Sequence, residues 1–447
     1  MSYPANVSYF LRRLQGYHTN VFKLMPQNTD SATSGKIIQV NLPTNALLNM
    51  KSFAMHFDAS ATEAGGAGVA RLPNKITSLI DRVEVLMGGI TVQQGFNQYN
   101  TAVHIKENLS LNDDKKYSAR LTLNHEAIPR QASYVDGQNL APATTRHEAY
   151  TDNPSFIIDE WLGFLGECEP QIIDSGLLPE MSIRITLAPD SVLPVGTDVD
   201  TVANFTAKPG GSSATYSLSN IYFTIETMAL QDGVYDSLLE RKISEDGFIE
   251  IPYKNYYSYF DTHTGTTRFT AASQSVDKIY ATFRTNAYDT QGAPSLITGT
   301  DGSYNLTPFN AGERYVSPYF KFVDDGITDW QFTVNNTMFP QYKAKPLDAY
   351  HISRVARDKS HMTCKGDSIT GAKNWRDFFW TAVIRLNHPS SEDTRLITGF
   401  DSRGVNAAMT FQTTKSGNYS TNLQCYVLAE MTATLRVGAG KAISVET

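Results

Sequence analysis

The chain has 447 residues and a formal net charge of −7, with 19% charged residues and 11% aromatics, among them 23 Tyr. That length suits two domains of about 200 residues each. The acidic balance argues against a surface that wraps nucleic acid, because such affinity comes from neutralised phosphates. A surface short of charge and rich in Tyr suits contact with other subunits. Cys168, Cys364 and Cys425 are odd in number, far apart and outside any CxxC, so they are expected to be free thiols rather than a disulfide framework or a cysteine zinc site. The opening MSYPANVSYFLRRLQ lacks the apolar core of a signal peptide, and no run approaches roughly 18 apolar residues. Synthesis in a reducing compartment, with no membrane span, is the expectation.

Residues 1–29 hold Arg12, Arg13 and Lys23 and no acid. Phe10, Leu14, Tyr17 and Val21 fit one helical face, which predicts an N-terminal helix at the base of the fold; the alternative is a basic arm that touches an anionic surface. GKIIQVNL (35–42) predicts a strand ended by Pro43, and Lys51–Asp58 another. Gly65, Gly66 and Gly68 do not make a GxGxxG phosphate cradle, because Arg71 stands where the third Gly belongs. SLIDRVEVLMGGITVQQGF (78–96) predicts a hairpin turned at Gly88-Gly89, where both positions need positive φ. Phe96–Leu109 reads as an amphipathic helix, followed by a polar excursion to about residue 152. LLPEMSIRITLAP (177–189) alternates cleanly, with Met181, Ile183, Ile185 and Leu187 on one face. Residues 219–253 read as strand, short helix and strand, with SEDG (244–247) breaking the helix.

In the second half, 275–284 and 329–336 predict strands and 346–360 a short helix with Pro346 near its first turn. Trp375–Leu386 fits helix or strand. The last strand places Leu423, Cys425, Val427, Ala429, Met431, Ala433, Leu435 and Val437 on one face and Gln424, Tyr426, Glu430, Thr432 and Arg436 on the other. Three matches suggest a duplication: Asp81–Met87 with Asp277–Phe283, Tyr222/Glu226 with Tyr426/Glu430, and Gly35–Pro43 with Gly247–Pro252. The expected division is an N-terminal arm (1–34), a first sandwich (35–231), a connecting helix (232–245) and a second sandwich (246–447).

SLIDRVEVLMGG, LLPEMSIRITLAP, IYFTIETMALQDGVYDSLLERK and LQCYVLAEMTATLRV, in this order and spacing, resemble the double jelly-roll major capsid proteins of virophages, polinton-like viruses and other tailless icosahedral double-stranded DNA viruses. The resemblance implies an all-β chain of two tandem eight-stranded jelly-roll sandwiches with long loops and a few short helices. It further implies a structural protein of the virion. Three copies would form a pseudo-hexagonal capsomer, meeting penton and minor capsid proteins. The N-terminal arm would touch the capsid interior or an inner membrane, and no sequence-specific nucleic acid is expected. The excursions 97–152 and 286–375 are expected to form outward towers and much of the trimer contact, through residues such as Tyr304, Phe309, Tyr315, Tyr319 and Phe320.

Catalytic signals are sparse. No GxSxG, HExxH or P-loop is present, so no catalytic, cofactor or metal residue is assigned and no enzyme activity is expected. His361 and Cys364 form an HxxC without a partner pair, and His351 reads as a surface group. Asp113-Asp114 and Asp324-Asp325 read as solvated loop tips whose acids point apart. The alternative function is a carbohydrate-binding or spike protein on the same sandwiches, with Tyr256, Tyr257 and Tyr259 supplying an aromatic patch.

Overall fold

Alternating side chains build the first sandwich from eight strands: β1 (Tyr17–Leu24), β2 (Ile37–Asn41), β3 (Leu47–Glu63), β4 (Ile80–Met87), β5 (Ile90–Gln93), β6 (Ser155–Ile158), β7 (Met181–Leu187) and β8 (Ala214–Leu230). They pair antiparallel as β1-β8-β3-β6 and β2-β7-β4-β5. The second sandwich has β9 (Phe248–Thr262), β10 (Thr266–Phe269), β11 (Val276–Arg284), β12 (Asp329–Val334), β13 (Thr337–Ala344), β14 (Ala382–Arg385), β15 (Met409–Thr414) and β16 (Gln424–Gly438). Its sheets are β9-β16-β11-β14 and β10-β15-β12-β13, the first pattern with eight added to every label. Short strands Ala32–Thr33, Ile172–Asp174 and Ile443–Glu446 extend the larger sheets. This computed structural model describes residues 17–63, 69–70, 72–73, 75–93, 96–110, 155–193, 195–196, 213–230, 241–285, 295–296, 315–316, 320–356, 375–376, 379–388, 397–403 and 409–447.

The hairpins show the local chemistry. Met87 pairs with Ile90 across Gly88 and Gly89, whose φ values are +55° and +87°. The equivalent turn joins Val334 to Thr337 through Asn335 and Asn336, at +46° and +64°. Gly and Asn are the residues that accept this left-handed pair, so both turns match the twist of their strands. On β7, Met181, Ile183, Ile185 and Leu187 are buried and the residues between them half-buried, as the alternation predicts. The connection 241–246 is helical and runs through the SEDG residues as far as Asp246. Gly247, at φ +80°, ends it by donating its N–H to Ile243 O at 2.9 Å, a left-handed C-terminal cap.

Several expectations are corrected. Residues 17–24 form an edge strand, not a helix: Tyr17 pairs opposite Leu230 and Leu24 opposite Phe223. The long β8 offers an unpaired edge there, and pairing with it overrides the apparent helical spacing. The first sheet therefore starts inside the stretch expected to be an arm, while residues 1–16 lie outside the described residues. Of the three repeat matches, only Tyr222/Glu226 with Tyr426/Glu430 joins equivalent strands, β8 and β16. Asp81–Met87 lies in β4, whereas Asp277–Phe283 lies in β11, the counterpart of β3. Gly35–Pro43 spans β2, whereas Gly247–Pro252 opens β9, the counterpart of β1. All strands alternate alike, so alternation carries no topological address.

The supposed towers are partly sandwich. Helix α1 (Tyr99–Ser110) joins β5 to β6, and its counterpart α3 (Asp348–Ala356) joins β13 to β14. Between them in sequence, α2 (Phe164–Glu167) follows β6. Phe320 is buried. Residues 111–154, with Asp113-Asp114, lie outside the described residues, as do Tyr304, Phe309 and Tyr319.

Candidate functional site

The residues singled out for chemistry do not converge. Asp324 and Asp325 do point apart, but neither is solvated. Asp324 is buried against Arg376, and Asp325 pairs with Lys415 Nζ at 2.9 Å and accepts from Ser420 N at 3.2 Å. Loop reversal at Gly326 turns these acids inward, and each then needs a cation. His351 is exposed on α3; His361 and Cys364 lie outside the described residues. Cys168 and Cys425 are buried free thiols, and burial pushes the Cys425 thiol up to about 12. Tyr256 is fully buried, Tyr257 and Tyr259 pack against the core, and the expected aromatic surface patch is not formed. Among the described residues no group of three His, Cys, Asp or Glu is placed to hold a metal ion.

The densest chemistry lies where the two sandwiches meet. Lys106, on α1, sits with Nζ 3.1 Å from Glu167 Oε1 and 3.4 Å from Glu430 Oε2, and donates to the Tyr256 hydroxyl. That hydroxyl donates to Glu167 Oε2 at 2.6 Å. Behind Glu430, Lys254 Nζ lies 2.6 Å from Asp277 Oδ2, which also accepts from Thr432 Oγ1 at 2.6 Å. Lys254 and Lys278 approach Glu430 Oε1 at 3.8 and 3.7 Å, and the Tyr280 hydroxyl donates to Oε2 at 2.9 Å. Three ammonium groups thus face three carboxylates.

Electrostatics follow from that balance. Burial opposes ionisation of Glu430, but Lys106, Lys278 and Lys254 outweigh it and hold its carboxyl well below the ordinary range. Burial likewise disfavours the Lys106 cation, yet Glu167 and Glu430 raise its pKa above the usual lysine value. Burial, reinforced by the same two carboxylates, pushes the Tyr256 phenol well up. Each of these carboxylates faces a cation, so the cluster is built to weld surfaces rather than to present a free base.

Neutral contacts extend the seam. The Tyr253 hydroxyl donates to Val92 O at 2.7 Å, and Arg284 Nη2 to Gln98 Oε1 at 2.6 Å. Ser258 Oγ accepts from Asn97 N and donates to Asn97 O. Phe96 stacks on Tyr256 with centroids 5.0 Å apart, and His104 on Phe320 at 3.7 Å. Sequence reasoning missed these residues. The available signal was charge within apolar strand runs, as in YKNYYSYF and VDKIYATF, where an outer face is covered.

No protein-family model matches the chain, and no curated protein matches its sequence. Solved structures do match. PBCV-1 VP54, as fitted into a reconstruction of the virophage Sputnik, superposes with a TM-score of 0.56 at 12% identity, covering 98% of both chains. The Faustovirus major capsid protein gives 0.55 at 11% identity, over 95% of this chain and 91% of its own. The Sputnik virophage structure gives 0.51 at 12%, over 97% and 88%. The fold is the double jelly roll. The cluster around Glu430 is accordingly the internal joint of a double jelly roll, between the helix side of the first roll and the large sheet of the second.

The corresponding sheet of the first roll carries a different surface. On its outer face His56 stacks on Tyr222, centroids 4.5 Å apart and planes 6° from parallel, with Lys23 Nζ 4.2 Å above the Tyr222 ring. Glu226 accepts from Asn49 Nδ2 at 2.7 Å, and the Thr224 hydroxyl lies 2.9 Å from His56 Nε2. Burial lowers the His56 pKa, with Asp159 opposing and Lys23 reinforcing. Asn49, His56, Tyr222, Thr224 and Glu226 are half-buried and Lys23 is exposed, whereas β16 is buried on both faces from Cys425 to Leu435.

Proposed function

We propose that this chain is the major capsid protein of a tailless icosahedral double-stranded DNA virus. It acts as a homotrimer whose six rolls give a pseudo-hexagonal capsomer. The observation that carries this reading is the double jelly roll itself, shared with the Faustovirus major capsid protein over 95% of this chain and 91% of that one. The buried ionic joint supports it, because a tile must keep its two rolls in one fixed geometry. The protein's role is structural, without cofactor or catalysis, and its place is the virion. Its partners are other copies of itself, neighbouring capsomers, and penton and minor capsid proteins, with the N-terminal arm facing the capsid interior or an inner membrane. The carbohydrate-binding alternative loses its candidate patch, since Tyr256 lies inside the joint.

Light scattering on the purified protein tests the assembly. A species of three chains, stable on dilution to nanomolar concentration, is expected. A monomer at micromolar concentration overturns the trimer.

A further inference from the structure

One ion pair of the joint is closer and drier than the others. Lys254 Nζ lies 2.6 Å from Asp277 Oδ2, and the two side chains are 2% and 0% exposed. Lys106 and Glu167, 3.1 Å apart, are 21% and 20% exposed. Lys278 stands 3.7 Å from Glu430.

Strand geometry brings these two side chains together and holds them. Lys254 on β9 stands opposite Thr432 on β16. Across the other edge of β16, Val276 pairs with Met431 and Lys278 with Glu430, so Asp277 is the extra residue of a β-bulge. A bulge re-aims a side chain, and Asp277 reaches the face that carries Lys254 and Thr432. Thr432 Oγ1 accepts from Lys254 Nζ at 3.2 Å and donates to Asp277 Oδ2 at 2.6 Å. Ser275 Oγ donates to Asp277 Oδ1 at 2.8 Å. Gly399 packs on the same carboxylate. A Cβ there would fall 2.6 Å from Asp277 Oδ1 and 2.5 Å from Val276 O, so glycine lets that backbone close over the pair.

We propose that Lys254 and Asp277 condense to a side-chain amide, a covalent tie from β9 to β11 across β16. The step is a dehydration with no change of oxidation state. One ammonium proton crosses the 2.6 Å hydrogen bond to Oδ2, which leaves an amine and a carboxylic acid. The Nζ lone pair attacks Cγ, and the carbonyl electron pair moves onto Oδ1, where the Ser275 hydroxyl donates. A second proton passes from Nζ to Thr432 Oγ1 while Thr432 gives its own to Oδ2. The Cγ–Oδ2 bond then breaks, the pair on Oδ1 reforms the carbonyl, and Oδ2 leaves with both protons as water. Glu430 Oε1, 3.8 Å from Nζ, faces the positive charge that forms on nitrogen during the attack. Two effects favour the product. Groups fixed in reacting geometry behave as if at effective molarities on the order of 10⁵–10⁸ M. A buried ion pair keeps two charges out of water, and a neutral amide removes them. The tie forms once per chain without turnover, so the structural role stands, and it does not depend on the trimer.

The intact mass of the purified full-length protein, measured after denaturation, tests the bond. The expected mass is one water below that of the sequence. Trypsin is expected to leave the chain uncut after Lys254 and to release 243–268 joined to 269–278 as one branched peptide. Lys254→Arg keeps the cation without the amine and is expected at the full mass of its own sequence. Thr432→Val removes the relay and is also expected at full mass, whereas Thr432→Ser keeps a hydroxyl and is expected to lose the water again. Thermal melts establish that these variants are folded. A wild-type protein at full mass overturns the proposal. A lost water that maps to another peptide, such as a succinimide at Asp246-Gly247, overturns it as well. A fully linked Thr432→Val chain overturns the relay through Thr432.

Discussion

β8 and β16 hold the same place in their rolls and are buried differently. From Ala214 to Glu226, β8 keeps its core face covered and leaves Tyr222, Thr224 and Glu226 half-buried. β16 is buried on both faces from Cys425 to Leu435. The difference lies in what stands outside the sheet: the α1 side of the first roll covers β16. A glutamate on each strand shows the consequence. Glu226 needs only Asn49 beside it, whereas Glu430, out of solvent, is surrounded by three lysines and a tyrosine. A covered sheet face can keep charge only when the charges are matched, and matching them joins the covering element to the sheet.

Neutralising the two glutamates should separate these cases most sharply. Glu430→Gln leaves buried ammonium groups without their carboxylate and is expected to cost about 3–5 kcal/mol. Glu226→Gln should cost under about 1 kcal/mol, because the half-buried amide oxygen can still accept from Asn49. Urea denaturation of both variants beside wild type reads the difference, and equal costs would break the comparison. The pH dependence sharpens it. With its folded pKa well below the usual 4.5, Glu430 contributes stability that is full above that value and is lost as pH falls through the lower folded one. Lys106, its pKa raised from 10.5, contributes stability that is full below that value and is lost as pH rises through the folded one. Glu430→Gln should therefore flatten the acid limb and reduce the alkaline one.

A smaller effect is expected from removing one hydroxyl at each surface. Tyr256→Phe deletes the bridge between Lys106 and Glu167 inside the joint and should cost about 1–3 kcal/mol, the range for leaving buried partners unsatisfied. Tyr222→Phe keeps its stack on His56 and should change stability by less than about 0.5 kcal/mol. Thermal melts of the pair suffice. A Tyr222 variant as damaged as the Tyr256 one would mean that the first sheet's outer face is already covered within the chain.

The same contrast explains what could be read from the sequence. Period two located β4, β5, β7, β8, β11, β12 and β16, and Gly88-Gly89 located a hairpin, because local sterics decide these. The order of strands within sheets was only partly legible. Asp81–Met87 and Asp277–Phe283 look alike, yet one belongs to β4 and the other to β11. β1 was hidden for a related reason: YHTNVFKL becomes a strand by pairing with β8, a partner some two hundred positions away. The joint was hidden because Glu430 alternates with apolar residues just as Glu226 does. Only the fold decides which polar face is covered. Thus Tyr256, which the carbohydrate-binding alternative places in a surface patch, lies between Lys106 and Glu167 inside the cluster.

The smallest expected effect concerns two histidines, one on each side of the comparison. His263 is buried in the second roll, its ring nitrogens 2.7 Å from Thr267 Oγ1 and 2.8 Å from Thr413 Oγ1, and Tyr419 meets the ring edge-on. Burial lowers its pKa to about 4 against opposition from Asp325 and Asp261. The unfolded chain titrates this group near 6.5, so the folded state binds its proton later. Stability from His263 is full above pH 6.5 and declines as pH falls from there toward 4. His56 is also lowered by burial but lies half-exposed on the first sheet, so its slope should be shallower. Urea midpoints between pH 7.5 and 5 stay above the range where Glu430 titrates, and each variant reads the share of one ring in the decline. His263→Gln is expected to lower stability at pH 7.5 and to remove most of the decline toward pH 5. His56→Gln should leave most of that decline in place. If instead the His56 variant removes the decline and the His263 variant keeps it, then the outer face of the first sheet is the more enclosed site, and the contrast between β8 and β16 fails at its base.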